Sequence, residues 1–254
     1  MVDCKAVNTP VEPRSESGSE EGEGTLMDPV EARRYRRSAA RWNYLALDRV
    51  DLSVCANLLA RSMARPTVGD ERGIKRAIRY LSGAPRCIWK FHGQKGVDQL
   101  CVYSDSDWAG CLATRRSTSG GIVYHGAHPI THWSKRQNNV ALSSGEAELN
   151  GQVKAISEVM GIKHAAHEMG MKVGAQLRGD SSAAQGILTR KGVGKVKHLE
   201  VKHLWVQEKV REGAVKPVKV PRIVNVADLL THPCSGVEMG KHLGRSGVEV
   251  RAAQ

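Results

Sequence analysis

The chain has 254 residues, of which 41% are hydrophobic and only 4% aromatic, so its core must be built mainly from Val, Leu, Ile and Ala. It contains no run of 18 apolar residues and no basic-then-apolar secretory signal, so we expect neither a membrane protein nor a secreted one. The six cysteines never stand at C-x-x-C spacing, which favours reduced thiols and an intracellular protein, cytoplasmic or nuclear.

The charge is distributed unevenly along the chain. Residues 1–31 hold eight acidic and two basic residues, a balance of −6, whereas the whole chain carries +12 and the remainder therefore +18. A basic body of this size favours a polyanionic partner such as nucleic acid, because each Lys or Arg that neutralises a phosphate releases a counterion. Charge alone does not exclude the alternative, a basic protein that binds no polyanion.

The N-terminal third divides into two predicted segments. Residues 1–27 are predicted to be a disordered acidic segment, since residues 11–25 are mainly Ser, Gly and Glu and have little apolar surface to offset the entropy of ordering. Residues 28–85 are predicted to be helical. Asp28 followed by Pro29 is typical of a helix start, and two apolar stripes at helical spacing follow.

Residues 86–235 are predicted to form an α/β domain, followed by a flexible tail at 236–254. The predicted elements are strands at 87–89, 99–103, 120–124 and 130–133, a helix from Ser143, a strand at 173–178, helices at 181–188 and about 199–211, a strand at 215–220 and a last helix starting at 226–230. This order favours a mixed sheet with helices packed on it.

The long helix has the strongest local signals. Ser143 and Glu146 form a capping box, which marks a helix start. Apolar residues then recur at helical spacing and predict a buried stripe, made of Leu149, Val153, Ile156 and Met160.

Four acidic residues stand at strand ends and helix starts, where a mixed sheet exposes functional side chains. They are Asp105, Glu148, Asp180 and Asp228. If they converge, their like charges require cations, and hard carboxylate oxygens suit Mg²⁺ or Mn²⁺. Two such ions about 4 Å apart can activate a water and stabilise a leaving oxygen in phosphoryl displacement. Spacing alone leaves open that each acid is a helix cap or an exposed turn residue, and Asp180 is well placed to be a cap.

Six sequence words resemble, in the same order, those of the ribonuclease H domain of copia-type LTR retrotransposon Pol polyproteins. They are Y-S-D-S-D-W-A-G at 103–110, R-R-S-T-S-G-G at 115–121, A-L-S-S-G-E-A-E-L at 141–149, G-D-S-S-A-A at 179–184, K-H-L-E-V-K-H at 197–203 and V-A-D-L-L-T-H-P at 226–233. The resemblance falls within residues 99–233 and implies a ribonuclease H-like mixed sheet with flanking helices.

The resemblance also implies an active site of four carboxylates that hold two Mg²⁺ or Mn²⁺ ions. By motif, the catalytic and metal-binding residues are Asp105, Glu148, Asp180 and Asp228. Two further acids belong to the same motifs. We interpret Glu146 as the capping acid, and Asp107 as a residue that supports the site or contacts metal.

Two departures from the family pattern stand out. Gly151 lies inside the long helix, where glycine costs about 1 kcal/mol relative to alanine. The loop at 220–227, just before Asp228, contains no histidine, so no proton shuttle is evident there.

The helical segment resembles the region that follows a reverse transcriptase palm, over residues 35–47, 51–63 and 74–83. No Y-x-D-D sequence occurs in the chain. We therefore do not expect it to polymerise DNA by itself, and we interpret it as the tail of a longer or decayed polyprotein.

The leading hypothesis is a metal-dependent endonuclease that hydrolyses the RNA strand of RNA–DNA hybrids. The alternatives are a catalytically inactive ribonuclease H-like module that binds nucleic acid, and a decayed transposon remnant. Acids at all four motif positions favour the enzyme. The sequence does not predict the oligomeric state.

Overall fold

The computed structural model describes residues 4–12, 24–192 and 201–252. The chain splits into two compact units. The helical unit comprises Met1–Lys90, Leu112–Thr114 and His232–Gln254, and the sheet unit comprises Phe91–Cys111 and Arg115–Thr231. Within the described ranges, no helix is long and apolar enough to cross a bilayer. None of the six cysteines, all of which are described, forms a disulfide.

The regular elements follow one another in this order: α1 (Pro29–Leu45), α2 (Ser53–Arg61), α3 (Glu71–Gly83), β1 (Arg86–Trp89), β2 (Gln99–Asp107), β3 (Thr118–His125), β4 (His128–Arg136), α4 (Ser144–Glu168), β5 (Gly174–Gly179), α5 (Ser182–Thr189), α6 (Val201–Arg211), β6 (Lys216–Lys219), α7 (Gly236–Arg245) and β7 (Val248–Arg251). Short 3₁₀ helices lie at Val50–Leu52, Val68–Asp70, Arg222–Val224 and Val226–Leu230.

The helical unit begins as the sequence predicts. Asp28 Oδ1 accepts hydrogen bonds from the backbone N–H groups of Val30 (2.7 Å) and Glu31 (2.9 Å), and Pro29 occupies the first helical position. These bonds satisfy two of the donors that a helix start leaves without intrahelical acceptors.

Part of the predicted disordered segment is packed. Arg79 Nε donates to the carbonyl of Lys5 (2.7 Å), Arg76 Nη2 donates to the hydroxyl of Thr9 (3.0 Å), and Thr9 and Pro10 are buried. The structure therefore differs from the prediction at residues 4–12, where arginines of α3 bond to the segment. Its central part, residues 13–23, lies outside the described residues.

The structure also differs from the predicted flexible tail. A capping box between Ser235 and Glu238 starts α7, which buries Met239 and Leu243. The strand after it, β7, pairs antiparallel with β1, so the predicted strand at 87–89 lies in a two-stranded sheet of the helical unit.

The sheet unit is built on a five-stranded mixed sheet with the order β4-β3-β2-β5-β6. The pairs β2–β3 and β3–β4 are antiparallel, whereas β2–β5 and β5–β6 are parallel. The elements predicted from residue 99 onward are present in the predicted order, except that the last helix is a short 3₁₀ helix. The start of the predicted helix at 199–211 falls within residues 193–200, which lie outside the described residues.

The core of the sheet unit lies between the sheet and α4. Leu149 and Ile156 of α4 are fully buried and share a cluster with Leu100, Val102 and Leu177 of the strands. Val153 and Met160 pack against this cluster, which confirms the predicted stripe. Burying one Leu or Ile side chain contributes about 1.5–3 kcal/mol, so this contact fixes α4 on the sheet.

Gly151 lets α4 come close to the strands. A Cβ atom at this position would lie 2.5 Å from Ser106 Oγ, 3.2 Å from Ser104 Oγ and 3.3 Å from Ser119 Oγ. The glycine that weakens the helix locally is therefore required by the packing of the helix on β2 and β3.

We expect Gly151→Ala to destabilise the protein by about 1–3 kcal/mol, because the added methyl group forces the neighbouring serines to move, Ser106 above all. Gly161 is the matched control on α4, since a Cβ there meets no atom within 4 Å. Gly161→Ala should raise stability by up to about 1 kcal/mol through helix propensity alone. Urea unfolding followed by circular dichroism measures both changes. Equal stabilisation by the two substitutions would show that Gly151 is not a packing requirement.

Candidate active site

Three of the four predicted acids meet at one edge of the sheet. Asp105 lies near the end of β2, and Asp180 directly follows β5. Because these two strands are parallel and adjacent, their carboxyl ends lie side by side. Glu148 lies in the first turns of α4, which packs on β2. One carboxylate oxygen from each residue lies within 4.8 Å of those of the other two.

In this carboxylate cluster of Asp105, Glu148 and Asp180, burial and mutual repulsion disfavour the charged forms of Asp105 and Glu148. Burial, together with the charges of Asp228 and Asp180, raises the pKa of Asp105 to about 7. Burial, together with the charges of Asp105 and Asp180, raises the pKa of Glu148 to about 9. Removing carboxylates from water and placing like charges together both favour the protonated form.

Asp228 lies beside the cluster, outside the group of three. Its charge contributes to the raised pKa of Asp105. The Thr231 hydroxyl lies 2.8 Å from Asp105 Oδ2, to which it donates, and 2.9 Å from the carbonyl oxygen of Asp228. Thr231 therefore ties the 3₁₀ helix that carries Asp228 to the carboxylate at the end of β2.

Asn225 and Gly120 hold the 3₁₀ helix at 226–230 against the sheet. The buried Asn225 donates from Nδ2 to the carbonyl of Ser104 (3.1 Å) and accepts from the N–H of Ala227 (3.3 Å). Gly120 is paired with Asp105 across the strands, and a Cβ there would lie 2.6 Å from Leu230 Cβ. The helix thus reaches the site only because position 120 has no side chain.

Arg222 adds a positive charge to the site. Its Nη2 lies 3.5 Å from Asp228 Oδ1, and its charge lowers the pKa values of Asp105 and Glu148. The side chain is 75% exposed, so solvent screens this pair.

Arg222, Asn225 and Thr231 are site residues that the sequence analysis missed. Asn225 precedes a helix start, where an N-cap asparagine is a recognisable signal. Thr231 lies in the last of the six sequence words. Nothing in the local sequence distinguishes Arg222 from the other basic residues.

The two competing acids lie outside the cluster. Glu146 accepts from the N–H of Leu142 (2.8 Å), while Ser143 Oγ accepts from the N–H of Glu146 (3.2 Å), so Glu146 acts at the helix start. The carboxylate of Asp107 lies against Gly110.

The alternative explanation for Asp180, a helix cap, is not what the structure shows. The N-cap of α5 is Ser181, whose hydroxyl accepts from the N–H of Ala184 (3.2 Å). The Asp180 carboxylate points to the cluster instead.

Comparison with known proteins places the chain in a family. No family model matches it. It is 33% identical over 255 residues to the retrovirus-related Pol polyprotein from transposon RE1 of Arabidopsis thaliana. This match covers 98% of the chain and 17% of the polyprotein. The match to the polyprotein from transposon RE2 of the same plant has the same identity and coverage. The chain belongs to the copia-type retrotransposon Pol polyproteins.

This Pol polyprotein chain spans about a sixth of the length of these curated relatives, since the match covers 17% of each. Among solved structures, LC11-RNase H1, isolated from compost by a metagenomic approach, is similar over 53% of this chain and 93% of its own, with 18% identity and a TM-score of 0.41. The predicted α/β class is confirmed by the structure itself: a mixed sheet with flanking helices, preceded in the chain by a small helical segment.

The carboxylate cluster of this Pol polyprotein chain fits hard divalent cations. All three donors are carboxylate oxygens, which Mg²⁺ and Mn²⁺ prefer. Glu148 Oε2 is buried and makes no hydrogen bond to any described residue. A bound cation would satisfy this oxygen and neutralise the repulsion that raises the two pKa values.

We expect the metal-free protein to lose stability as the pH rises from about 4 to about 9, through the titration of Asp105 and Glu148. Their folded-state pKa values lie above the ordinary values of 3.8 and 4.5, so the folded state binds protons more tightly than the unfolded state. The stabilisation that these two groups provide is complete at pH values below their ordinary pKa values. It is lost as the pH rises through their folded-state pKa values.

The measurement is thermal unfolding in EDTA across this pH range, for the parent and for an Asp105→Asn, Glu148→Gln double variant. The double variant lacks both titrations, so the Tm of the parent relative to it should fall with rising pH. A difference that stays constant or rises would contradict the raised pKa values.

Proposed function

We propose that this chain is a metal-dependent endonuclease that hydrolyses the RNA strand of RNA–DNA hybrids as part of a Pol polyprotein. The observation that carries the proposal is the carboxylate cluster, with its ligand oxygens within 4.8 Å of one another. Family membership and the six sequence words that contain these acids support the same reaction.

Asp105, Glu148 and Asp180 would hold the metal, and Asp228 is proposed as the fourth acid of the site. When bound, two Mg²⁺ or Mn²⁺ ions supply an activated water and charge neutralisation for phosphodiester hydrolysis. Thr231 orients Asp105 through its hydrogen bond, and Asn225 keeps the helix of Asp228 next to β2. These contacts fix the carboxylates before substrate arrives, which reduces the reorganisation required during the reaction.

The proposed substrate is recognised mainly through its backbone. Residues 32–254 carry a net charge of +18, suited to a polyanion. A hybrid duplex is read largely through its shape, its phosphates and the 2′-hydroxyls of the RNA strand, with little sequence preference. The proposal places this reaction inside the cell, in the cytoplasm or the nucleus, where such hybrids form.

The proposal also covers the organisation of the chain. Residues 28–85 would be the end of a reverse transcriptase, and residues 86–235 the ribonuclease H-like domain. The compact units follow the same division approximately, since the sheet unit begins at Phe91 and ends at Thr231.

We expect the purified protein to cut the RNA strand of a labelled hybrid with Mg²⁺ or Mn²⁺ and to stop in EDTA. Asp180→Asn should abolish cleavage and leave hybrid binding nearly intact, because it removes a charge that a metal ligand must supply. Asp98→Asn is the matched control: Asp98 is exposed at the start of β2, away from the cluster, and this variant should cut at the parental rate.

Three results would contradict the assignment. Cleavage by Asp180→Asn at the parental rate would remove Asp180 from the site. A parent protein that binds hybrid and never cuts it, with either ion, would favour the inactive binding module. A protein that neither folds nor binds would favour the decayed remnant.

We expect hybrid binding by the parent to weaken steeply with salt. Each phosphate contact contributes about −0.9 to the slope of log K against log[salt] on a B-form duplex, so several contacts give a slope of about −3 or steeper. Fluorescence anisotropy between low and physiological salt measures this slope. A slope near zero would exclude phosphate neutralisation as the basis of binding.

A further inference from the structure

We propose that Gln137 is a positioning residue for the carboxylate cluster. Its side-chain amide joins α4 to the strands beneath it and so sets where Glu148 stands relative to Asp105. This inference rests on the proposed function, since it assigns a role in the same site.

The amide of Gln137 is bonded to the sheet on one side. Gln137 directly follows β4 and is buried, with 8% of its surface exposed. Its Nε2 donates to Ser119 Oγ on β3 (2.8 Å) and lies 3.4 Å from Ser106 Oγ on β2. The two serine hydroxyls are themselves 3.2 Å apart. Ser106 is the residue next to Asp105, so these contacts end beside the first carboxylate.

The same amide is bonded to α4 on the other side. Nε2 donates to the carbonyl of Ala147 (2.8 Å), the residue before Glu148. Oε1 accepts from Asn150 Nδ2 (3.4 Å), three residues and nearly one turn further along the helix than Ala147. One side chain thus bonds to the neighbours of both Asp105 and Glu148.

The chain of bonds continues to α6. Because Asn150 donates from Nδ2 to Gln137, its Oδ1 accepts from Nε2 of His203 at 3.1 Å. His203 is 1% exposed. A buried polar network in which each bond fixes the next favours a single arrangement of its members. The first turns of α4 are therefore held in both depth and rotation.

Gly151 makes this arrangement possible. It removes the side chain that would separate α4 from Ser104, Ser106 and Ser119. At this close approach one glutamine amide reaches both the hydroxyl of Ser119 and the carbonyl of Ala147. Groups around a metal ligand that fix its orientation typically change metal affinity or activity about 10–100-fold when mutated.

Gln207 provides a matched comparison within the sheet unit. It is 3% exposed, and its amide makes three hydrogen bonds: Nε2 donates to the carbonyls of Ile187 (2.8 Å) and Gly192 (3.0 Å), and Oε1 accepts from the N–H of Gly192 (3.0 Å). These bonds join α6 to residues 187–192. Both glutamines stabilise the fold, and Gln137 alone of the two bonds to neighbours of the carboxylates.

The experiment compares Gln137→Met with Gln207→Met, at a temperature where both variants are folded. Mn²⁺ affinity is measured by calorimetric titration, and hybrid cleavage by steady-state kinetics. We expect Gln137→Met to bind Mn²⁺ about tenfold more weakly and to lose about tenfold in kcat, with hybrid KM nearly unchanged. Gln207→Met should lose a similar amount in Tm and keep the Mn²⁺ affinity and kcat of the parent.

Ser119→Ala keeps the test decisive where Gln137→Met does not fold, because it removes one acceptor of the Gln137 amide and little volume. It should also weaken Mn²⁺ binding. Parental Mn²⁺ affinity in Ser119→Ala, or equal behaviour of the two methionine variants, would overturn the inference while the parent remains active. A parent that neither binds Mn²⁺ nor cuts the hybrid would refute the proposed function, and the inference with it.

Discussion

Repulsion between three carboxylates at one edge of the sheet is the constraint on which the sheet unit depends. Asp105, Glu148 and Asp180 are brought together by two parallel strands and one helix. Such a cluster is tolerated when protons or cations neutralise it. The surroundings then act to hold the carboxylates in place, through the hydrogen bonds of Thr231, Asn225 and Gln137.

Local signals explain why much of this could be predicted from sequence. The N-cap Ser143 marks the start of α4, and Asp180, which directly follows the strand ending at Gly179, lies at the sheet edge. These features depend on neighbouring residues alone. The mutual approach of Asp105 and Asp180 then follows from the parallel pairing of β2 and β5, which a strand-helix-strand order favours.

The features that sequence did not predict depend on distant contacts. The pairing of β1 with β7 joins two segments between which the whole sheet unit lies in the sequence, and β7 by itself is four residues of ordinary composition. The position of Thr231 beside Asp105 arises only when the 3₁₀ helix at 226–230 docks on β2 and β3. Likewise, residues 4–12 look disordered by composition until arginines of α3 supply their partners.

Two glycines show how packing at the site outweighs local propensity. Gly151 weakens α4 as an isolated helix, and Gly120 leaves β3 without a side chain opposite Asp105. Each removes a Cβ that would push a functional element away: Gly151 admits α4 with Glu148, and Gly120 admits the 3₁₀ helix with Asp228. The local loss at each position is about 1 kcal/mol, whereas an added Cβ would lie 2.5 Å from Ser106 Oγ at position 151 and 2.6 Å from Leu230 Cβ at position 120. Gly151 and Gly120, which are unfavourable residues for a helix and a strand, are therefore required for Glu148 and Asp228 to lie close to Asp105.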